Sequence, residues 1–253
     1  MARHSKWHKV RQFKGAIDAK RSASFTKLAR EITVAAREKG GDINMNARLR
    51  AAVERARAAS LPKDNIERAI QKGAGGGVEG HIESLTYEAY APGGTALIIE
   101  CLTDNRNRTA NDVKHLLTKN NGTFAATGSV TYLFDHVGVV RVPGGLISPP
   151  YQGGVGGGSE RKSHEEMELA LIDAGATDVI EEDGSVELNC STHDLAKLSD
   201  AVSSLGLTAD LIEFQWHPKT LVETDETNGI AVTDLIEKLE EHDDVSRVWN
   251  NLA

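Results

Sequence analysis

Residues 1–75 form the segment around which the chain is organised, and they read MARHSKWHKVRQFKGAIDAKRSASFTKLAREITVAAREKGGDINMNARLRAAVERARAASLPKDNIERAIQKGAG. This segment contains 18 Lys and Arg residues against 7 Asp and Glu, whereas residues 76–253 contain 11 against 30. A charge asymmetry this large between two parts of one chain indicates a basic module that binds a polyanion. The acidic remainder is then expected to form the body that carries this module.

The spacing of apolar residues in the basic segment predicts three helices. Phe25, Leu28, Ile32 and Ala36 recur at the helical period, and Gly40-Gly41 is expected to end the first helix. A second apolar stripe covers residues 49–59, and Pro62 is expected to begin a third helix that Gly73 ends. The expected fold of residues 1–75 is therefore a three-helix bundle with a light, alanine-rich core.

The rest of the chain predicts two interleaved α+β domains. Residues 81–136 and 217–253 are expected to form a middle α+β domain, with strands at 86–91, 95–102 and 130–134, a helix capped by Thr109, and further elements at 221–224 and 245–249. Residues 137–216 follow the βαββαβ order of a ferredoxin-like domain. This domain would be inserted in the middle domain, which gives a multidomain α+β protein.

Two glycine-rich segments are interpreted as connections. Residues 73–80 contain Gly75-x-Gly77-x-x-Gly80, but they follow a predicted helix and lead into a strand, whereas a dinucleotide-binding loop follows a strand and opens a helix. They are therefore interpreted as a flexible linker. Residues 143–159 are rich in Gly and Pro without periodicity, and they are predicted to be disordered.

Composition and motifs argue against several classes of function. The longest apolar runs fall far short of the roughly 20 residues that a membrane span needs. Cys101 and Cys190 lie in separate apolar stretches and are interpreted as reduced core thiols of a cytoplasmic protein. The sequence contains no phosphate-binding P-loop, no Cys-x-x-Cys and no nucleophile elbow. We therefore expect no catalytic residue, no metal and no cofactor; an enzyme with its site in the cleft between the acidic domains is the distant alternative.

The first candidate site is the contact arm, which we define as residues 4–11, with the sequence HSKWHKVR. Its cations can neutralise phosphates and release counterions, and the indole of Trp7 offers a face on which an unpaired base can stack. The alternative is that Trp7 anchors the arm on the core of the bundle.

The second candidate site is the stretch DNRNRT at residues 104–109, where Arg106 and Arg108 precede a predicted helix. A helix N-terminus with two guanidinium groups is a favourable place for a phosphate. The alternative is that both arginines pair with acidic neighbours. The acidic run at residues 240–244 is interpreted as a solvated helix end that keeps nucleic acid off the body or meets a basic protein partner.

The candidate nucleic-acid contacts combine these two stretches with cations along the first helix. Such a set of Lys and Arg suits contact with the sugar-phosphate backbone, so low sequence specificity is expected. The set consists of His4, Lys6, Trp7, Lys9, Arg11, Lys14, Lys20, Arg21, Lys27, Arg30, Arg106 and Arg108.

Several strings in the sequence resemble the YebC/PmpR family, and the resemblance covers nearly the whole chain. They are HSKW at 4–7, DAKR at 18–21, FTK at 25–27, REITVAAR at 30–37, PKDNI at 62–66, YE at 87–88, PGG at 92–94 and DNRNRT at 104–109. The chain departs from the family pattern at Arg3, at His8 and in the loop at 143–159.

The resemblance implies a cytoplasmic, non-enzymatic protein of three domains: a helical bundle, a middle α+β domain and a ferredoxin-like insert. Family members are described as DNA-binding transcriptional regulators, and relatives as translation factors that act on ribosomes. The leading hypothesis is a DNA-binding transcriptional regulator. The alternative is a factor that binds ribosomal RNA or the ribosome and eases the synthesis of proline-rich proteins. A monomer that does not bind membranes is expected in either case.

Overall fold

The structure, a computed structural model, describes residues 5–75, 82–146, 164–182 and 184–253, without the side chains of residues 5–21 and 182. Within these ranges the chain forms seven α-helices and two antiparallel four-stranded sheets. The fold is therefore α+β, as predicted. His4, residues 76–80 of the expected linker and most of the loop predicted at 143–159 lie outside the described residues.

The elements follow one another from an all-helical segment into an alternation of strands and helices. They are α1 (Ser5–Lys39), α2 (Ala47–Ala58), α3 (Lys63–Ala74), β1 (Glu83–Tyr90), β2 (Ala96–Thr103), α4 (Arg106–Lys119), β3 (Thr123–Ala125), β4 (Phe134–Pro143), α5 (His164–Asp173), β5 (Ala176–Glu182), β6 (Ser185–Ser191), α6 (Leu195–Ser204), β7 (Leu211–Pro218), α7 (Glu226–Glu241) and β8 (Val245–Asn250).

Helix α1 is much longer than the apolar stripe that predicted it. It begins at Ser5, because Lys, Arg and Ala favour a helix even where the sequence offers no apolar stripe. It ends at Lys39, before Gly40, whose φ of 89° lies in the left-handed region that stops a helix. The contact arm is therefore part of the helical backbone from residue 5 onward.

The three helices pack around a small core. Ile32, Leu49, Val53 and Ile66 are buried there, together with several alanines. Gly73 does not end α3, so that prediction is wrong: the helix continues to Ala74. A Cβ at Gly73 would lie 2.3 Å from the Thr33 carbonyl oxygen, so glycine is what allows α3 to cross α1 at this distance.

The first sheet has the strand order β3-β1-β2-β8. Its apolar face packs against α4 and α7, with Leu97, Ile99, Val113 and Leu235 fully buried between them. Strand β8 pairs antiparallel with β2, so the last strand of the chain returns to the sheet that β1 begins. The middle of the chain, from β4 to β7, lies outside this sheet.

The second sheet has the strand order β5-β6-β4-β7. Helices α5 and α6 pack on one of its faces, where Leu171, Leu188, Leu195 and Leu198 form the largest core. The sequence connects these elements as β4-α5-β5-β6-α6-β7. The helices α1 to α3 form the helical module, which is the described part of the basic module. This module and the two sheets meet along β7, which contacts both α2 and β8.

Three local predictions of the middle segment are wrong. Residues 130–134 were expected as a strand, but residues 131–133 form a short 3-10 turn, and Phe134 begins β4. Residues 221–224 contribute only a single bridge, from Val222 to Leu252. Thr109 does not cap α4, because the helix begins earlier and the side chain of Asn105 accepts a hydrogen bond from the Arg108 N–H at 3.1 Å.

Candidate nucleic-acid interface

The predicted contact residues from Lys6 to Arg21 lie on the backbone of α1 in its first half, and their side chains are outside the description. They precede the part of α1 that packs in the bundle, where the described apolar side chains begin at Phe25. About 20 residues of helix span roughly 30 Å. The predicted contact residues from Lys6 to Arg21 thus occupy a long stretch of one helix, and their role stays a prediction.

Arg30 lies farther along α1, and its guanidinium group contacts the turn between α7 and β8. Its Nη1 donates to Asp244 Oδ1 at 3.0 Å and to the carbonyl oxygens of Leu102 and Asp243 at 3.1 Å each. Asp244 is only 5% exposed, so this ion pair is sheltered from water on the carboxylate side. Arg30 therefore attaches the helical module to the first sheet.

Arg108 reaches the same carboxylate from the other side. Its Nη2 donates to Asp244 Oδ2 at 2.8 Å and to Asp104 Oδ1 at 2.9 Å. The hydroxyl group of Thr109 also donates to Asp244 Oδ2, at 2.8 Å. The structure thus supports the alternative in which Arg108 pairs with acidic neighbours, and it brings together two predicted contact residues, Arg30 and Arg108, that are distant in sequence.

The electrostatics of Asp244 follow from these donors. Burial alone would raise the pKa of its carboxyl group, but the hydrogen bonds from Arg108 and Thr109, with the charges of Arg108 and Arg30, outweigh burial and lower the pKa. The carboxylate is therefore ionised at neutral pH and stays paired. The prediction that residues 240–244 form a solvated helix end is wrong at this residue.

Lys27 lies one turn before Arg30, and its ammonium group donates to the carbonyl oxygen of Glu240, at the C-terminal end of α7. Burial lowers its pKa, against the attraction of Asp243 and Glu240. The C-terminal end of a helix carries a partial negative charge, which favours a cation there. Lys27 and Arg30 thus both face the acidic body.

The contacts of Arg106 differ from those of Arg108, although the two are only two residues apart. Its side chain is exposed at the start of α4, and its carbonyl oxygen accepts a hydrogen bond from the hydroxyl group of Tyr87 at 3.2 Å. The structure does not bring Arg106 into the Asp244 cluster. Like the side chain of Arg108, it is exposed to solvent.

Sequence reasoning missed a second buried carboxylate, Glu213 in β7, which is 4% exposed. Arg247 of β8 donates to both of its oxygens, at 2.8 and 2.7 Å. Arg55 of α2 donates to Glu213 Oε2 at 3.0 Å and to Glu31 Oε1 of α1 at 2.6 Å. One carboxylate therefore joins the helical module, the first sheet and the second sheet.

Glu213 is ionised because its partners outweigh the cost of burial. Burial would raise its pKa, while the hydrogen bond from Arg247 and the charges of Arg55 and Arg247 lower it. The available signal in the sequence was a single carboxylate inside the apolar run 211–216, since a buried charge requires a partner. That signal does not identify the partner, because Arg55 is 158 positions away.

A third missed group surrounds Glu100 of β2. Trp216 of β7 donates to Glu100 Oε1 and Trp249 of β8 donates to Oε2, each from its indole nitrogen at 3.2 Å. The ring of His136 stacks on Trp216, with the centroids 4.3 Å apart and the planes 15° from parallel. The rings of His136 and Trp216 form part of the wall of a cavity of about 550 Å³ where the helical module and the two sheets meet.

The described residues do not offer the chemistry of a metal centre. Among them, no three His, Cys, Asp or Glu side chains converge in a way that could hold a metal ion. Burial raises the pKa of the Cys101 thiol to about 12 and that of Cys190 to about 11, so both thiols are protonated at neutral pH. No described helix is long and apolar enough to cross a membrane.

Comparison with known proteins shows that two models of one protein family together match nearly the whole chain. Residues 5–76 match the family model described as the TACO1/YebC protein N-terminal domain, and residues 82–252 match the model of the TACO1/YebC second and third domain. The resemblance read from the sequence is therefore confirmed at the level of the family.

Individual relatives extend over the same length. Two proteins named "Probable transcriptional regulatory protein" are similar to the chain. The protein of Chloroflexus aggregans is 43% identical, and the match covers 100% of this chain and 95% of the relative. The protein of Paraburkholderia phytofirmans is 42% identical, and the match covers 100% of this chain and 98% of the relative. A solved structure of a conserved hypothetical protein from Aquifex aeolicus has a TM-score of 0.75 and 37% identity, and covers 94% of this chain and 92% of its own. The chain thus belongs to the TACO1/YebC family.

Proposed function

We propose that this protein is a cytoplasmic, non-enzymatic regulatory protein that binds nucleic acid, with duplex DNA as its target in transcriptional regulation. The names of its relatives support a regulator. The charge of the chain supports a polyanionic partner, since residues 1–75 carry most of its cations and the remainder is strongly acidic. The contact would be made by the first half of α1.

One observation carries the proposal: the described contacts between module and body are made by cations that follow the contact arm along the chain. The ion pairs and hydrogen bonds described between module and body use Lys27, Arg30, Arg48, Arg50 and Arg55. The cations from Lys6 to Arg21 precede all of these along the chain. We therefore assign docking to the described cations and nucleic-acid binding to the basic stretch from Lys6 to Arg21.

This division revises the contact set. Arg30 and Arg108 are assigned to docking, because releasing them would leave the buried carboxylate of Asp244 unpaired. Lys27 is assigned to docking because its ammonium group donates to the Glu240 carbonyl oxygen. Arg106 stays in the proposed contact set with the residues from His4 to Arg21. Binding through Lys and Arg side chains to phosphates predicts weak dependence on sequence and strong dependence on salt.

We also infer three domains with the boundaries expected from the sequence: 1–75, 81–136 with 217–253, and a ferredoxin-like insert at 137–216. The order β4-α5-β5-β6-α6-β7 and the strand order β5-β6-β4-β7 support the ferredoxin-like assignment. The pairing of β8 with β2 supports the insertion, since the chain returns to the first sheet only after β7.

The test is a salt titration of binding to duplex DNA, with the double variant Lys6→Gln/Lys9→Gln. If both lysines contact phosphates, the slope of log affinity against log salt should fall by about 1.8. The matched control is Lys114→Gln/Lys119→Gln, which removes the same charge from exposed positions on α4. The control should keep the wild-type slope.

Two outcomes would overturn the proposal. Equal slopes for wild type and the Lys6/Lys9 variant would place the contact elsewhere on the protein. The same titration on structured ribosomal RNA and on whole ribosomes tests the target: affinity for either that exceeds the affinity for duplex DNA at equal salt would replace the transcriptional role by one in translation.

A further inference from the structure

The cavity of about 550 Å³ at the meeting point of the three units has a continuous aromatic wall. His136 of β4 lies directly opposite Trp216 of β7 in the strand register, and the two rings are stacked at 4.3 Å. Phe214, two residues before Trp216 on the same strand, lies 5.8 Å from His136 with its plane tilted by 48°. A cavity of this size is in the range of small-ligand sites, which is about 300 to 1,000 Å³.

The aromatic wall is held in place before any ligand arrives. The indole nitrogen of Trp216 donates to Glu100, whose other oxygen accepts from Trp249. Partial burial lowers the pKa of His136, and the nearby charge of Arg48 lowers it further, against the effect of Glu100. The imidazole is therefore mainly neutral at neutral pH and presents an uncharged planar ring. A preorganised flat surface of this kind suits another flat ring.

The other residues around the cavity suit a phosphate at its edge. Arg48 of α2 keeps 34% of its side chain exposed while it pairs with Glu38 and donates to the Ser84 hydroxyl at 3.0 Å. Lys39, at the end of α1, is exposed and also lines the cavity. Met45, which is 82% exposed, adds a flexible apolar side chain beside them. Apolar and cationic groups thus lie next to the aromatic wall, together with the carboxylates of Glu31, Glu38 and Glu100, which also line the cavity.

We propose that this cavity binds one unpaired nucleobase of the nucleic acid, with the base stacked on the wall of Phe214, His136 and Trp216 and its phosphate beside Lys39 and Arg48. The inference rests on the proposed function, because it supplies a second contact for the same ligand. Stacking on an aromatic side chain accepts any base, since every base has a π-face. The protein would therefore favour duplexes that contain a bulged or flipped nucleotide over perfect ones, without reading the sequence.

The experiment compares two hairpin DNAs of equal charge that carry a single unpaired position, occupied in one by adenine and in the other by an abasic residue. Binding to the wild-type protein at fixed salt should be about tenfold tighter for adenine, the gain expected from one stacked base. His136→Ala should reduce this ratio to near one without changing the affinity for the abasic probe. His136→Phe keeps a ring and should keep most of the ratio, which separates stacking from folding.

His115→Ala is the matched control, since this exposed histidine lies on α4 and does not line the cavity. It should bind both probes as the wild type does. A ratio near one in the wild type, or a ratio that His136→Ala leaves unchanged, would overturn the base site while the abasic probe still reports backbone binding. Failure of the wild type to bind either probe would instead overturn the proposed function, and the base site with it.

Discussion

Arg30 in the first helix and Asp244 in the turn before the last strand form a 3.0 Å ion pair across 214 positions of the chain. Arg108 completes the arrangement from the other side of the carboxylate, at 2.8 Å. Two cations that looked in the sequence like contacts for phosphate are thus contacts for a carboxylate of the same protein. The acidic body therefore neutralises part of the positive charge of the basic module, and this pairing fixes the orientation of the module on the body.

Replacing Asp244 by Asn is expected to destabilise the protein by about 3 kcal/mol, because it removes the buried charge that two arginines face. Asp243→Asn is the matched control: its side chain is exposed, and its carbonyl oxygen, which accepts from Arg30, is retained. The control should change the free energy of unfolding by less than about 0.5 kcal/mol. Urea unfolding followed by circular dichroism measures both, and equal effects would show that the buried pair adds no particular stability.

Glu213→Gln is expected to cost about 3 kcal/mol or more, since Arg55 and Arg247 would lose a shared buried partner. The control is Asp210→Asn, which breaks the pair with Arg141, where both side chains are 43% exposed. An exposed pair of this kind contributes about 1 kcal/mol or less. Thermal unfolding followed by calorimetry measures the stability of both variants. A lower melting temperature for Asp210→Asn than for Glu213→Gln would contradict the prediction.

Gly73→Ala tests the close crossing of α1 and α3. In an unconstrained helix, alanine is more stable than glycine by about 1 kcal/mol. At Gly73 the sign should reverse, because the new Cβ would lie 2.3 Å from the Thr33 carbonyl oxygen. Gly229→Ala in α7 is the control: the nearest atom there is Thr224 Oγ1 at 3.6 Å, so that change should stabilise the protein. The free energies of unfolding of the two variants should therefore move in opposite directions.

The docking of the module should weaken in acid. The pKa values of Asp244 and Glu213 are lowered from 3.8 and 4.5 in the folded protein. A carboxyl group with a lowered folded pKa adds stability above its unfolded pKa and loses it as pH falls through the folded value. The melting temperature should therefore be nearly constant from about pH 7 to 5 and should fall below about pH 4.5.

The double variant Asp244→Asn/Glu213→Gln is the comparison for that pH profile. Its melting temperature should be lower at neutral pH and should change less with acid, because the two titrating groups are absent. Profiles that run parallel for wild type and variant would assign the acid sensitivity to other carboxylates.

The sequence predicted most elements because their evidence is local. The stripe of Phe25, Leu28 and Ile32 marks a helix face, and the alternation in 186–190 marks a half-buried strand; both patterns record which side of the element is buried. The errors also have local causes. Helix α1 extends to Ser5 because Lys, Arg and Ala have a high helix propensity. Propensity of this kind does not produce the periodic apolar pattern from which the helix was predicted.

The site was less predictable because its defining contacts join distant positions. A surface arginine and a docked arginine have the same local sequence, so Arg30 and Arg108 gave no sign of sharing Asp244. The same holds for Glu213, whose partners come from α2 and β8. What the sequence did contain was the alternative that Arg106 and Arg108 would both pair with acidic neighbours. The structure shows this pairing for Arg108.

The chain enters and leaves the second sheet at adjacent points. Phe134 and Pro218 are partners in the β4-β7 register, and the Lys219 N–H donates to the Leu133 carbonyl oxygen at 2.9 Å. The two ends of residues 134–218 therefore lie side by side, while β7 also packs against α2 and β8. A short loop between residues 133 and 219 would span the gap after their excision, and the excision would also remove Glu213 from Arg55 and Arg247. A variant that lacks residues 134–218 would therefore separate the contribution of the second sheet to regulation from the contribution of α1.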